Sequence, residues 1–205
     1  MCWTIAADGE RPPRRPGSKT RLLLRRYETI AGGAGARVRQ FGLDGVRVHA
    51  SGAANLPIEA LENAYPLRVE RYALRAGSGR AGRMFGGAGV VRDYRVLTEG
   101  LRVSLSSARQ VRAAQGFAGG GEALCGSFLL NPDTTAERRL PAATVDLVLE
   151  RGDLLRLLTP GGGGGGQWVS ILPRQGHDNL SGHGAAPQSW ASTSMSSTST
   201  SSLIY

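Results

Sequence analysis

The stretch 55–97 constrains this chain most, because it fixes a helix, two strands and the spacing between them. Pro57-Ile58-Glu59 opens a run of good helix formers. Proline is pre-set for a first helical turn, and Glu59 and Glu62 suit the positive end of a helix. Asn55 is placed to cap it. Pro66 ends it, since proline lacks an N–H and holds Tyr65 in extended geometry. Residues 67–74 then alternate, with Leu67, Val69, Arg71 and Ala73 on one side and Arg68, Glu70, Tyr72 and Leu74 on the other, which predicts a strand. Residues 89–97 predict a second, with Val91, Tyr94 and Val96 among its apolar positions. Between them Gly77-Ser78-Gly79-Arg80-Ala81-Gly82 is a literal G-x-G-x-x-G. A dinucleotide fingerprint needs a helix to open directly after it. Arg83-Met84-Phe85-Gly86-Gly87-Ala88-Gly89 is hostile to helix, so the segment is predicted to be a glycine-dense linker with bulges.

The flanking segments extend the pattern. Residues 20–30 read as an entering strand built on Leu22, Leu23 and Leu24. Gly32, Gly33 and Gly35 follow, between Glu28 and Arg37, where a backbone turns sharply or approaches a ligand closely. Such a turn serves as an anion cradle or as a simple connection, and no Gly-Lys-Ser/Thr follows to make it a P-loop. Asp44-Gly45 is a turn, and 46–49 a short strand ending at His49. Residues 101–107, 125–130, 144–150 and 154–159 also read as strands. The last two are joined at Arg151-Gly152-Asp153 and expected to pair as a hairpin. The fold class expected is α+β: a β-rich lobe of mostly antiparallel short strands, with one or two short helices and disordered ends. Residues 1–19 are expected to be a flexible basic arm, 20–166 the folded part and 167–205 a disordered Ser/Thr-rich tail.

The 205 residues carry a formal charge of +9, and Lys19 is the only lysine among 25 basic residues. The arginines are scattered and aromatics make up only 6%, which argues against a nucleic-acid partner. No apolar run approaches the ~20 residues of a membrane span. The start, MCWTIAADGERPPRR, lacks the apolar core of a signal peptide, so a cytoplasmic location is expected. Cys2 and Cys125 make no disulfide framework; Cys125 reads as a small core residue. His49, at a strand end ahead of a helix, is a candidate general base or metal ligand, with a hydrogen-bonded structural histidine as the alternative. No second His or Cys stands near it at zinc-ligand spacing.

Taken together, YETIAGGAGAR, DGVRVH, NLPIEALENAYPLRVERYALR, GSGRAGRMFGGAGVVRDYRVL, FLLNP and RGDLLRLLTPGGGGG, in that order, resemble the hydantoinase B/5-oxoprolinase family over about residues 27–166. The resemblance implies a subunit of an ATP-dependent amidohydrolase that opens cyclic amides such as hydantoins or 5-oxoproline, with relatives that carboxylate ketones. It implies an A-type partner that binds ATP and Mg, and a B-type part that supports chemistry on the activated ring. A divalent metal is possible, its ligands unknown.

In the family a His-Met-Thr-Asn-Thr block precedes Asn-Thr-Pro-x-Glu. Here His49, Asn55, Pro57 and Glu59 match, while Ser51 alone keeps a hydroxyl in the first block. The implied catalytic groups are His49, Glu28 and Glu59; the implied substrate-binding groups are Asn55, Gly32 and Gly33. The resemblance covers the C-terminal portion of a longer B-type subunit. This chain is therefore expected to be a partial B-type subunit or, alternatively, a non-catalytic module for subunit contact or part of a ketone carboxylase.

Overall fold

The computed structural model describes residues 2–10, 21–47, 52 and 54–167. All the described residues fall within one compact unit. Its strands are β1 (Cys2–Glu10), β2 (Arg21–Thr29), β3 (Leu67–Leu74), β4 (Val90–Val96), β5 (Leu101–Ser106), β6 (Ser127–Leu130), β7 (Arg138–Leu140), β8 (Ala143–Leu149) and β9 (Leu154–Leu158); α1 is Ile58–Ala64. They form a four-stranded sheet, β2-β1-β5-β8, and a five-stranded sheet, β3-β4-β9-β6-β7. Every pairing is antiparallel. The lobe is α+β, as expected.

The strand alternation predicted for 67–74 and 89–97 appears as the β3–β4 pair, with Leu67 opposite Val96 and Leu74 opposite Val90. A bulge lies within β3 between Val69 and Arg71, rather than in the glycine linker where bulges were expected. α1 stops as predicted: Tyr65 is extended and its N–H still reaches Leu61 O. Its start differs, because Pro57 takes the cap position and no side chain caps it. Asn55 lies two residues too early, and its amide bonds elsewhere. The expected hairpin of 144–150 with 154–159 does not form. β8 pairs with β5 in one sheet, and β9 lies between β4 and β6 in the other. Both strands carry a period-two pattern, so pattern alone leaves the choice of partner open. Cys2–Glu10, expected within the arm, is β1 and pairs with both β2 and β5. Residues 11–19 of that arm, and all of the tail beyond Gln167, lie outside the described residues.

One hydrophobic cluster draws on both sheets and the helix. Leu101, Val103 and Leu105 of β5 and Leu149 of β8 pack with Tyr94, Phe128, Leu155, Leu157 and Leu61 of α1. This core fixes the sheets against each other. β4 is buried on both faces, which forces partners on its charges. On one face Asp93 receives Arg156 at 2.9 Å.

The glycine-rich segments form a second, backbone-only core. Gly161 and Gly164 donate to Leu124 and Gly121, while Gly162 and Gly165 donate to Gly87 and Met84. The carbonyls of Pro160 and Gly163 accept from Gly33 and Ala36. Each neighbouring segment is met at every third residue, the period of a polyproline-II helix, whose lack of internal hydrogen bonds leaves its amides for neighbours. A side chain is excluded from this hub: a Cβ on Gly162 would stand 1.8 Å from Ala34 O, and one on Gly86 1.9 Å from Gly162 O. The run 161–166, which by sequence suits a loop or a plain linker, is the axis on which the other glycine segments assemble.

Candidate functional site

Glu28, near the end of β2, is buried, with a side chain only 4% exposed. Its carboxylate receives Arg92 Nη1 at 3.0 Å, Arg26 Nη2 at 3.0 Å and the Tyr94 hydroxyl at 3.0 Å. Arg92 is on the β4 face opposite Asp93. Its guanidinium lies 4.7 Å from the Tyr72 ring centroid and 5.0 Å from that of Tyr94. Two aromatic faces and a carboxylate thus stabilise a cation removed from water. Burial pushes the Tyr94 phenol well above its ordinary range, so it remains a donor to Glu28.

From Tyr72 the contacts turn outward. Asn55 Nδ2 donates to the Tyr72 hydroxyl at 3.0 Å. Arg47 Nη2 donates both to Asn55 Oδ1 and to the Thr29 carbonyl, the residue after Glu28. The ring Glu28–Arg92–Tyr72–Asn55–Arg47–Thr29 therefore joins the end of β2, β3, β4 and the loop ahead of α1. Its inner end is buried; its outer end, at Tyr72, is 43% exposed.

The structure brings together two of the residues singled out in the sequence, Glu28 and Asn55. His49 and Ser51 lie outside the described residues, in the segment that leads from Arg47 towards Asn55. Glu59 is exposed in the first turn of α1 and does not belong to the ring. Gly32 and Gly33 lie in the glycine core: Gly33 N–H donates to Pro160 O at 3.0 Å, and Gly32 O accepts from Val46 N–H at 2.9 Å. The G-x-G-x-x-G segment is likewise committed to the fold. Ser78 N–H donates to Arg75 O, Arg80 N–H to Gly162 O, and the buried Ser78 hydroxyl accepts from Gly89 N–H. Among the described residues no helix follows it, so it offers neither the amides nor the dipole of a pyrophosphate site. Among the described residues no group of three or more His, Cys, Asp or Glu is placed to hold a metal. No described helix is long and apolar enough to cross a membrane.

Arg47, Tyr72, Arg92 and Tyr94 escaped sequence reasoning. The available signal was Arg92-Asp93 inside the apolar run VVRDYRV, a charged pair that a buried strand must partner.

The hydantoinase B/oxoprolinase family profile matches residues 5–168. The chain belongs to this family. It is 37% identical over 142 residues to 5-oxoprolinase 1 of Arabidopsis thaliana, covering 68% of this chain and 11% of that protein. It is 32% identical over 149 residues to the B-type subunit of a putative D-/L-hydantoinase from a Pseudomonas strain, covering 72% and 25%. A structure of nucleotide-free acetone carboxylase has the same fold, with a TM-score of 0.64 at 18% identity, over 81% of this chain and 25% of that one. The chain thus spans between a tenth and a quarter of the length of these proteins. The glycine core and the ring around Glu28 lie within the matched residues 5–168.

Proposed function

We propose that this chain is a partial B-type subunit of an ATP-dependent cyclic amide hydrolase, opening a hydantoin or 5-oxoproline ring together with an A-type, ATP-binding partner. The names of the relatives support the substrate class, and the ATP-dependent acetone carboxylation named for the structural neighbour supports the use of ATP. The observation that carries the reading is the Asn55–Tyr72 pair at the open end of the ring. Because the Tyr72 hydroxyl accepts from Asn55, its own proton is left to donate outward. An outward donor at the open end of the ring suits a substrate ring carbonyl, whose oxygen gains charge as the amide is attacked.

ATP and Mg on the partner would supply the phosphoryl group that turns this oxygen into a leaving group. His49 would take the proton from the attacking water. Glu28 would set the position of Arg92 and, through it, of Tyr72. Glu59 and the Gly32–Gly33 backbone complete the set of candidate residues, as a second carboxylate and as close-approach positions.

The test is ring opening of 5-oxoproline and hydantoin in a mixture of this chain, an A-type subunit and Mg-ATP. ATP-dependent turnover is expected, abolished by His49→Ala with the fold retained. Turnover unchanged in His49→Ala would remove His49 as the base. A second reading is a non-catalytic module for subunit contact. It is favoured by the small residues Gly52 and Ala53, where the resemblance calls for amide- and hydroxyl-bearing side chains. A tight complex with the A-type subunit and no turnover would establish it.

A further inference from the structure

The ring around Glu28 is unbalanced in charge. With its inner neighbour Arg26 it holds three guanidinium groups, those of Arg26, Arg47 and Arg92, against one carboxylate, Glu28. Asp93 gives no relief, because it stands on the opposite face of β4 and is engaged by Arg156. The hydrogen bonding is incomplete in the same place. Arg92 is wholly buried, yet its Nε and Nη2 have no acceptor, and neither has the buried Nε of Arg26. Buried cations ordinarily have their N–H groups satisfied, so a positive excess with open donors calls for an anion. Arg47 is half-buried and commits only Nη2, to the Thr29 carbonyl and Asn55 Oδ1. Its Nε and Nη1 remain for a ligand, and the Asn55 amide joins Arg47 to the half-exposed Tyr72 hydroxyl.

We infer that the outer end of the ring is an oxyanion site, and that it takes a carboxylate carried by the cyclic amide substrate itself. The inference rests on the cyclic amide reading above and narrows its substrate class to ring amides that bear a carboxylate, as 5-oxoproline does, over uncharged ones. Arg47 receives the carboxylate through its uncommitted N–H groups. Arg92 stands behind Tyr72 and adds its charge across a buried region that screens little. The Tyr72 hydroxyl, at the same outer end, is left for the ring carbonyl. A planar, singly charged carboxylate matches a guanidinium and offsets part of the positive excess. A phosphoryl group shares this chemistry and is the other source of an oxyanion here.

The test is an NMR titration of the 205-residue chain with 5-oxoproline, with its neutral primary amide and with inorganic phosphate. ATP and the A-type subunit are left out, so the outcome is independent of turnover. 5-Oxoproline should bind about tenfold or more tightly than the amide, which has the same shape without the charge. This comparison needs no altered protein. Arg47→Gln, with circular dichroism checking that the fold is retained, should weaken 5-oxoproline about tenfold or more and the amide little. Arg112→Gln, which removes an exposed arginine of the segment after β5, should change neither. The inference is overturned if the amide binds as tightly as the acid, if Arg47→Gln leaves the affinity for 5-oxoproline unaltered, or if 5-oxoproline does not bind. Phosphate binding more tightly than 5-oxoproline, with the same dependence on Arg47, overturns the substrate carboxylate and assigns the site to a phosphoryl group. Should ring opening with the A-type subunit fail while 5-oxoproline binds through Arg47, the functional reading falls and the oxyanion site stands. Ring opening without a charge-dependent affinity leaves that reading and removes the site.

Discussion

Arg92 Nη1 donates to Glu28 Oε1 at 3.0 Å, and this bond ties one sheet to the other, since Glu28 is on β2 and Arg92 on β4. The Arg92 side chain is wholly buried. Glu28→Gln removes the negative charge while keeping the shape, and leaves two guanidinium groups facing a neutral amide. Breaking a buried pair on one side costs about 3–5 kcal/mol. Urea unfolding should show that loss. Glu28→Gln combined with Arg92→Met should cost clearly less than the sum of the single changes, because the second removes the stranded charge.

The glycine hub gives a prediction that depends on position rather than residue type. Gly162→Ala drives a Cβ into the Ala34 carbonyl, where only backbone can move aside. A loss of about 3 kcal/mol or more is expected. Gly35→Ala meets nothing nearer than 3.9 Å and has no positive φ, so it should fall within about 1 kcal/mol of the parent and tend to stabilise. Thermal melts of the two variants side by side decide the matter.

Tyr72→Phe deletes the outward-facing hydroxyl but leaves the ring over Arg92. Stability should fall by only about 0.5–1.5 kcal/mol, the worth of one partly exposed hydrogen bond. In the reconstituted ring-opening assay kcat should drop about 10²-fold or more, with KM little changed, if the hydroxyl serves the developing oxyanion. An equal loss in Asn55→Ala would show that the amide acts by orienting that hydroxyl.

The Glu70–Arg95 pair sets an acid-side pH dependence. The hydrogen bond from Arg95 lowers the Glu70 pKa below its ordinary 4.5. A depressed carboxylate contributes stability that is present above the ordinary value and is lost as pH falls through the folded one. Glu70→Gln should therefore lower stability in the neutral region and flatten the profile below about pH 4.5, where the parent loses the same contribution and the two converge. Both side chains are a third exposed, so the effect should stay under about 1 kcal/mol. Urea titrations at several pH values would measure it.

The local elements were legible in the sequence. Pro57 and Pro66 bracket α1, the alternation of 67–74 makes β3, and the segment after Gly82 cannot open a helix, because these outcomes depend on backbone restrictions within a few residues. The order of its motifs was enough to indicate the family. Whatever rests on distant partners emerged only with folding. β8 and β9 went to different sheets although both alternate. Arg92 found Glu28 across 64 residues. Six consecutive glycines, which look locally like a linker, became a structural axis because other glycine segments lie close enough to accept and donate at every third residue. Hydrogen bonds, ion pairs and close backbone contacts of this kind form only once the chain has folded back on itself, and no local pattern encodes them.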